Sequence, residues 1–253
     1  MPTLFYDKPM LLDSVRHADL ALQELDDLGF ARASNAIPIN LVEFPLVARD
    51  YPIGFLGEGD DVYPVAIVGL QADNLFVDGK GRWKPGVYIP AYVRRYPFIF
   101  AENTEASELS LCLDDTPKVI AKKGGHKLFE SGKPTVVTER ALEFCKSYHA
   151  AALATKPFAK ALFDAGLLVE RQAETQLNDG SSFMLRGFKT IDEAKLMQLD
   201  AETLADWSKK GWLAAAYAQI LSSFNWATLL DLMAEKAPAA PAAPAAKSNK
   251  KLS

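Results

Sequence analysis

The sequence predicts an α+β fold, and three observations carry that prediction. The first half holds several short runs rich in Ile and Val, bounded by Gly, Asp and Pro, as strands are. The second half spaces its apolar residues at helical intervals. Between the predicted helices, Leu167 to Leu177 and Ser181 to Ile191 flank Asn178-Asp179-Gly180, whose residues tolerate the positive φ angles of a hairpin turn. No helix-length crossover separates most of the early strands, so the N-terminal sheet is expected to be mainly antiparallel, with short helices. Residues 1–134 form the sheet region of this reading. Residues 135–235 form a mainly helical region with a hairpin at 167–191, packed with the first as one unit. Residues 236–253 are a disordered, flexible Ala/Pro/Lys tail.

In chain order, residues 13–29 place Val15, Leu20, Leu22, Leu25 and Leu28 on an amphipathic helix ending near Gly29. Ile37 to Val42 reads as a strand and Glu43 to Asp50 as a short helix. Pro52 to Leu56 and Tyr63 to Leu70 read as further strands. Asn74 to Val77 is a strand entering a tight turn at Asp78-Gly79-Lys80-Gly81. Phe98 to Ala101 and Leu109 to Leu113 make another pair. Thr135 to Ala154 is a helix, and Pro157 to Ala165 a second one, with proline in its first turn and Gly166 behind it. Ile191 to Leu199, Ala201 to Lys209 and Trp212 to Glu235 complete the helical set, the last apolar enough to be packed into the core. From Ala237 a proline at every third position blocks a helix and leaves a semi-extended linker with a basic tip.

The composition narrows function. The formal charge of −4 over 253 residues is unevenly placed. From Glu235 onward one acid faces Lys236, Lys247, Lys250 and Lys251, giving +3, so residues 1–234 carry −7. An acidic body argues against nucleic-acid partners, which need a basic face. Met1 to Leu12 has a lone lysine and a proline where a cleavable export signal needs a basic start and an unbroken apolar run. No apolar run reaches the roughly 18–20 residues that span a bilayer. A soluble, cytoplasmic protein is expected. Cys112 and Cys145 read as two buried thiols rather than a metal knuckle or redox pair.

The densest chemistry lies in Gly81 to Phe100, where six aromatic side chains, three prolines and adjacent arginines share twenty residues. Aromatic rings bring large burial energies, and a guanidinium can stack on them or clamp an anion. Two readings stand. In one, Trp83, Tyr88, Tyr92 and Phe98 anchor a long loop over the sheet. In the other, Trp83, Tyr88, Tyr92, Arg94, Arg95 and Tyr96 form a binding surface for a protein or a small anionic or aromatic ligand. Adjacent arginines favour a division of labour, because one of two neighbours usually points outward.

Other constellations carry less. His17-Ala18-Asp19 has the spacing of two ligands of a non-haem iron triad, with His126 or His149 as a third. Its predicted helical setting turns the pair to different faces, so no metal is assigned. Asp78-Gly79-Lys80-Gly81-Arg82 lacks the spacing and terminal Lys-Ser/Thr of a phosphate loop and reads as a turn. The acid pairs Asp60-Asp61 and Asp114-Asp115 read as solvated turns. Gly-x-Ser-x-Gly is absent. Cys145 and His149 share a helix face, but in a core setting that makes a poor nucleophile. No catalytic residue and no cofactor is assigned.

The chain resembles the bacterial SapC-like family. The resemblance runs from His17 through Phe30-Ala31-Arg32, Pro38, Glu43-Phe44, Tyr51-Pro52-Ile53-Gly54-Phe55, Val68-Gly69-Leu70 and Asn74-Leu75-Phe76-Val77. Its most distinctive block is Gly81-Arg82-Trp83 with Tyr88 to Phe98. It continues through Leu128-Phe129, Gly187-Phe188 and Gly211 to Ser222. The family takes its name from a protein associated with bacterial surface layers, so the resemblance implies a binding or assembly role at the cell envelope and no catalytic residues to carry over. A cytosolic enzyme, or an accessory protein to an oxygenase-type redox enzyme, is the alternative. In a third reading the Ala-Pro tail tethers an assembly protein to a surface.

Overall fold

The computed structural model describes residues 4–24, 27–103, 108–116, 118–121, 124–176 and 182–236. Seven strands occupy the first half: β1 (Pro9–Leu11), β2 (Ala21–Leu22), β3 (Ala36–Pro38), β4 (Ile53–Leu56), β5 (Tyr63–Ile67), β6 (Phe98–Asn103) and β7 (Glu108–Asp114). Helix α1 (Phe44–Asp50) precedes β4, and the single turn α2 (Ala91–Arg94) precedes β6. The short strands β8 (His126–Lys127), β9 (Phe129–Glu130) and β10 (Lys133–Pro134) lead into the long α3 (Val136–Asp164). The hairpin β11 (Leu168–Gln176) and β12 (Ser182–Ile191) follows, then α4 (Glu193–Leu196), α5 (Ala201–Lys209), α6 (Trp212–Ser222) and α7 (Trp226–Lys236). The fold is a mixed α+β one, with antiparallel sheets first and long helices later.

The main sheet runs β11-β12-β4-β5-β3, so the late hairpin extends a sheet begun by the first half of the chain. β4 and β5 pair over four residues, from Ile53↔Ala66 to Leu56↔Tyr63. β12 meets β4 at a single register pair, Lys189↔Phe55. A second sheet, β1-β7-β6, stands beside it. One large cluster, with Phe44, Tyr51, Phe55, Phe158 and Leu162 at its centre, draws on both halves of the chain. A smaller one gathers Leu113, Val119, Leu128 and Cys145 beneath the second sheet. Among the described residues no helix is long and apolar enough to cross a membrane.

Several predicted elements are corrected. Of the residues predicted as a helix at 13–29, the described ones, 13–24 and 27–29, form turns, β2 and irregular backbone rather than an α-helix. The Asp13 carboxylate accepts from the amides of Val15 (2.9 Å) and Arg16 (2.7 Å), while His17 Nδ1 accepts from the Asp13 amide (3.0 Å). An N-cap makes the same bonds, so they do not oppose a helix. The turn stops because Val15 is 84% exposed with no core to pack on, while Ala21 and Leu22 are buried in the pairing with Lys127 and His126. Asn74 to Val77 makes an isolated bridge, Val77↔Trp83, rather than a strand.

The two helices predicted on either side of Pro157 are one, because Phe158, Ala159 and Leu162 are fully buried and hold the helix through the missing amide. The long final helix is instead two, broken at Ser223–Asn225. There the Ser222 hydroxyl accepts from the Ile53 amide (2.8 Å), and the Asn225 side-chain amide donates to the Ala48 carbonyl (2.8 Å). Its apolar residues are not all interior, since Leu221 and Phe224 are exposed while Leu229 and Leu232 are buried. Ile191 to Leu199 shrinks to the single turn α4, capped by the Asp192 carboxylate. The Asn178-Asp179-Gly180 turn and the Ala-Pro tail lie outside the described residues.

Candidate functional site

Two carboxylates at the ends of α1 hold the aromatic segment in place. Glu43 is buried and accepts from the Asn40 amide (2.8 Å), the Ala91 amide (2.7 Å) and the Tyr88 hydroxyl (3.0 Å). Burial raises its pKa, although these three donors pull the other way. Asp50 accepts from the Tyr88 amide (2.7 Å) and pairs with Arg49 (2.7 Å). Its partial burial pushes upward, but the Arg49 guanidinium and the Tyr88 amide hold its carboxyl below the ordinary range. Together the two fix the course of the chain from Tyr88 to Ala91.

Downstream of that clamp the side chains divide. Trp83 and Tyr92 are buried. Tyr96 is half-buried, stacks on Phe30 at 4.2 Å and donates its hydroxyl to Asp114 Oδ2 (2.8 Å). Asp114 is fully buried, not in a solvated turn, because it also accepts from the amides of Asp7 (3.0 Å) and Lys8 (2.7 Å) and so fastens the N-terminal strand. Successive residues on a helical turn point about 100° apart, and α2 uses this to separate the arginines. Arg94 is exposed, donating to the Ile89 carbonyl (3.0 Å) and the Tyr88 hydroxyl (3.0 Å) while lying over the Tyr88 and Phe144 rings.

Arg95 points inward and is only 8% exposed. Its guanidinium carbon lies 4.1 Å from the Tyr92 ring centre, 4.5 Å from that of Tyr148 and 5.6 Å from that of Tyr6. Burial alone would lower its pKa, yet the three tyrosines around it raise it further, so it stays charged. Burial pushes the phenols of Tyr6 and Tyr148 upward, so neither supplies a negative charge at neutral pH. Among the described residues Arg95 forms no salt bridge, and its Nε has no hydrogen-bond partner.

This cation borders a cleft of about 760 Å³ between α3 and the β5 and β6 edges. Its buried lining includes Arg95, Cys145 and Tyr148 together with Val62, Thr155 and Ala159. Ile99, Phe100, Ala152 and Leu153 add apolar wall, and Asp60, Asp61 and Lys156 stand exposed at the rim. Asp60 is engaged by Lys160 at 2.8 Å. Burial raises the Cys145 thiol to about 11, with Arg95 opposing, so it is protonated at neutral pH. His149 lines the cleft edge-on to Phe100 at 6.4 Å. His17 lies in a turn and His126 on β8, and among the described residues no group of three or more His, Cys, Asp and Glu is placed to hold a metal ion. The arrangement provides a fixed positive charge in a cleft with apolar sides, which suits an anion rather than a proton transfer.

The model of the SapC family matches residues 12–229, a span that includes the carboxylate clamp, α2 and the cleft. The chain belongs to the SapC family. No curated protein and no solved structure matches it. Within the SapC span, Glu43, Asp50 and Tyr148 are the site residues that sequence reasoning left out. Asn40-x-x-Glu43 has the spacing of a helix-capping carboxylate and is a signal for Glu43; nothing comparable marks Asp50 or Tyr148.

Proposed function

We propose that this SapC-family protein is a non-catalytic binding protein that captures the anionic group of a small organic ligand in the Arg95 cleft. The observation that carries this reading is a buried guanidinium with no carboxylate paired to it among the described residues. Burying a charge without a counter-charge is costly, and proteins tolerate it where a ligand supplies the partner. Arg95 makes the contact in this reading. Tyr92 and Tyr148 hold its fork in place, and Trp83 and Tyr96 anchor the loop. Tyr88 and Arg94 offer a second, outer face where a protein partner would rest. The cell-envelope setting is the one the family's name implies.

Calorimetric titration of benzoate, acetate and inorganic phosphate into the purified chain tests it. Saturable binding of at least one anion is expected, lost in Arg95→Met and kept in Arg94→Ala. Anion binding that survives Arg95→Met, or no binding by any of the three, contradicts the proposal.

A further inference from the structure

Resting on the reading of Arg95 as an anion site, we infer that the ligand is an amphiphilic monoanion: a carboxylate-type head on Arg95 with an apolar chain along Ile99, Phe100, Ala152 and Leu153. The charge count sets the head. Arg95 is the single buried charge among the described lining residues, while every other charged lining group is at the exposed rim. One fixed cation balances one negative charge. A second would remain unpaired inside the cleft, where desolvation penalises it. At the rim Lys156 and Lys160 offset Asp60 and Asp61, so the single buried cation sets the charge of the head, and the chain's overall −4 adds only a weak bias against more highly charged ligands.

The walls set the rest of the molecule. Leu153 is 60% exposed and Ile99, Phe100 and Ala152 are half-buried, so folding leaves this apolar surface partly uncovered beside the cation. A cleft of about 760 Å³ is far larger than a bare anion needs and falls in the ordinary range for organic ligands. Each methylene laid on such a wall strengthens binding up to about fourfold, the equivalent of its transfer from water. The head therefore supplies orientation and the chain supplies most of the affinity.

The test is a titration series of acetate, butanoate, hexanoate and octanoate into the full chain, with octanol and octyl phosphate as comparators. Affinity is expected to rise about two- to fourfold per added methylene, with octanoate tighter than octyl phosphate and at least tenfold tighter than octanol. Arg95→Met should reduce octanoate to the level of octanol. Leu153→Ser, an exposed change that does not threaten the core, should weaken octanoate several-fold. Acids that bind through Arg95 with no dependence on chain length would overturn the amphiphile while leaving anion capture standing. Octyl phosphate tighter than octanoate would overturn the single-charge head. Octanol equal to octanoate would overturn the role of the head altogether. Failure of every acid to bind would remove both readings.

Discussion

The Trp83 indole donates to the Tyr51 hydroxyl at 2.9 Å, and that hydroxyl donates in turn to the Tyr88 carbonyl. Tyr51 is fully buried, edge-on to Phe76 at 4.7 Å, and ties the beginning and middle of the aromatic segment to the end of α1. Tyr51→Phe keeps the ring but leaves an indole N–H and a carbonyl without their partner. A loss of about 2–4 kcal/mol of unfolding free energy is expected, from roughly 1–3 kcal/mol per stranded buried group. Urea denaturation measures it, and an unchanged midpoint would show that the segment is not anchored there.

Gln219 plays the corresponding part at the seam of the main sheet. Its Oε1 accepts from the Ile191 amide (3.0 Å) and its Nε2 donates to the Ile53 carbonyl (2.9 Å), bridging β12 and β4 where the two strands share one register pair. Gln219→Leu fills the space yet strands both backbone groups, so a loss of about 2–4 kcal/mol is expected. Faster hydrogen exchange at the Ile191 amide should accompany it. Exchange at the wild-type rate would assign the seam's stability to packing alone.

The turn before the aromatic segment gives a pH signature. Asp78 accepts from the amides of Lys80 and Arg82 and from the Arg82 guanidinium, and these bonds hold its carboxyl down to about 2. Gly81 follows at φ +77°, with a Cβ there falling 2.5 Å from the Asp27 Cβ, so the turn has little freedom to rearrange. A depressed carboxyl stabilises the fold above its unfolded pKa, and that contribution fades as pH falls through the folded one. Asp78→Asn should therefore be less stable than wild type at neutral pH. The gap should close between about pH 4 and pH 2. A gap that stays constant down to pH 2 would mean the charge contributes nothing.

What the sequence revealed depended on how local the signal was. The hairpin strands around residue 180, helix α5 and the β6–β7 pair follow from periodicity and turn residues. The turns at 13–19 did not, because an apolar count cannot tell that Val15 faces solvent while Ala21 and Leu22 pair with β8. Local rules place Pro157 at the first turn of a helix, whereas burial of Phe158 and Leu162 overrides them. The break at Ser223 is set by bonds to Ile53 and Ala48, far away in sequence. For the site, the adjacent arginines of the Gly81 to Phe100 block stood out. Tyr6, Tyr148 and the cleft came only from tertiary packing, which brings residues from three distant stretches around one guanidinium.

The account rests on Arg95 being kept for a ligand rather than for the fold, and the unfolding free energy of Arg95→Met measures that most directly. Three ring contacts of about 0.5–2 kcal/mol each, with the side-chain hydrogen bonds to Tyr6 and Tyr92, oppose a desolvation penalty of several kcal/mol for a buried ion with no counter-charge. Methionine fills much of the same volume without the charge. The expected result is a variant within about 1 kcal/mol of wild type, or more stable, that has lost anion binding. A variant destabilised by about 3 kcal/mol or more, as when a paired internal charge loses its partner, would contradict the account and make Arg95 part of the scaffold.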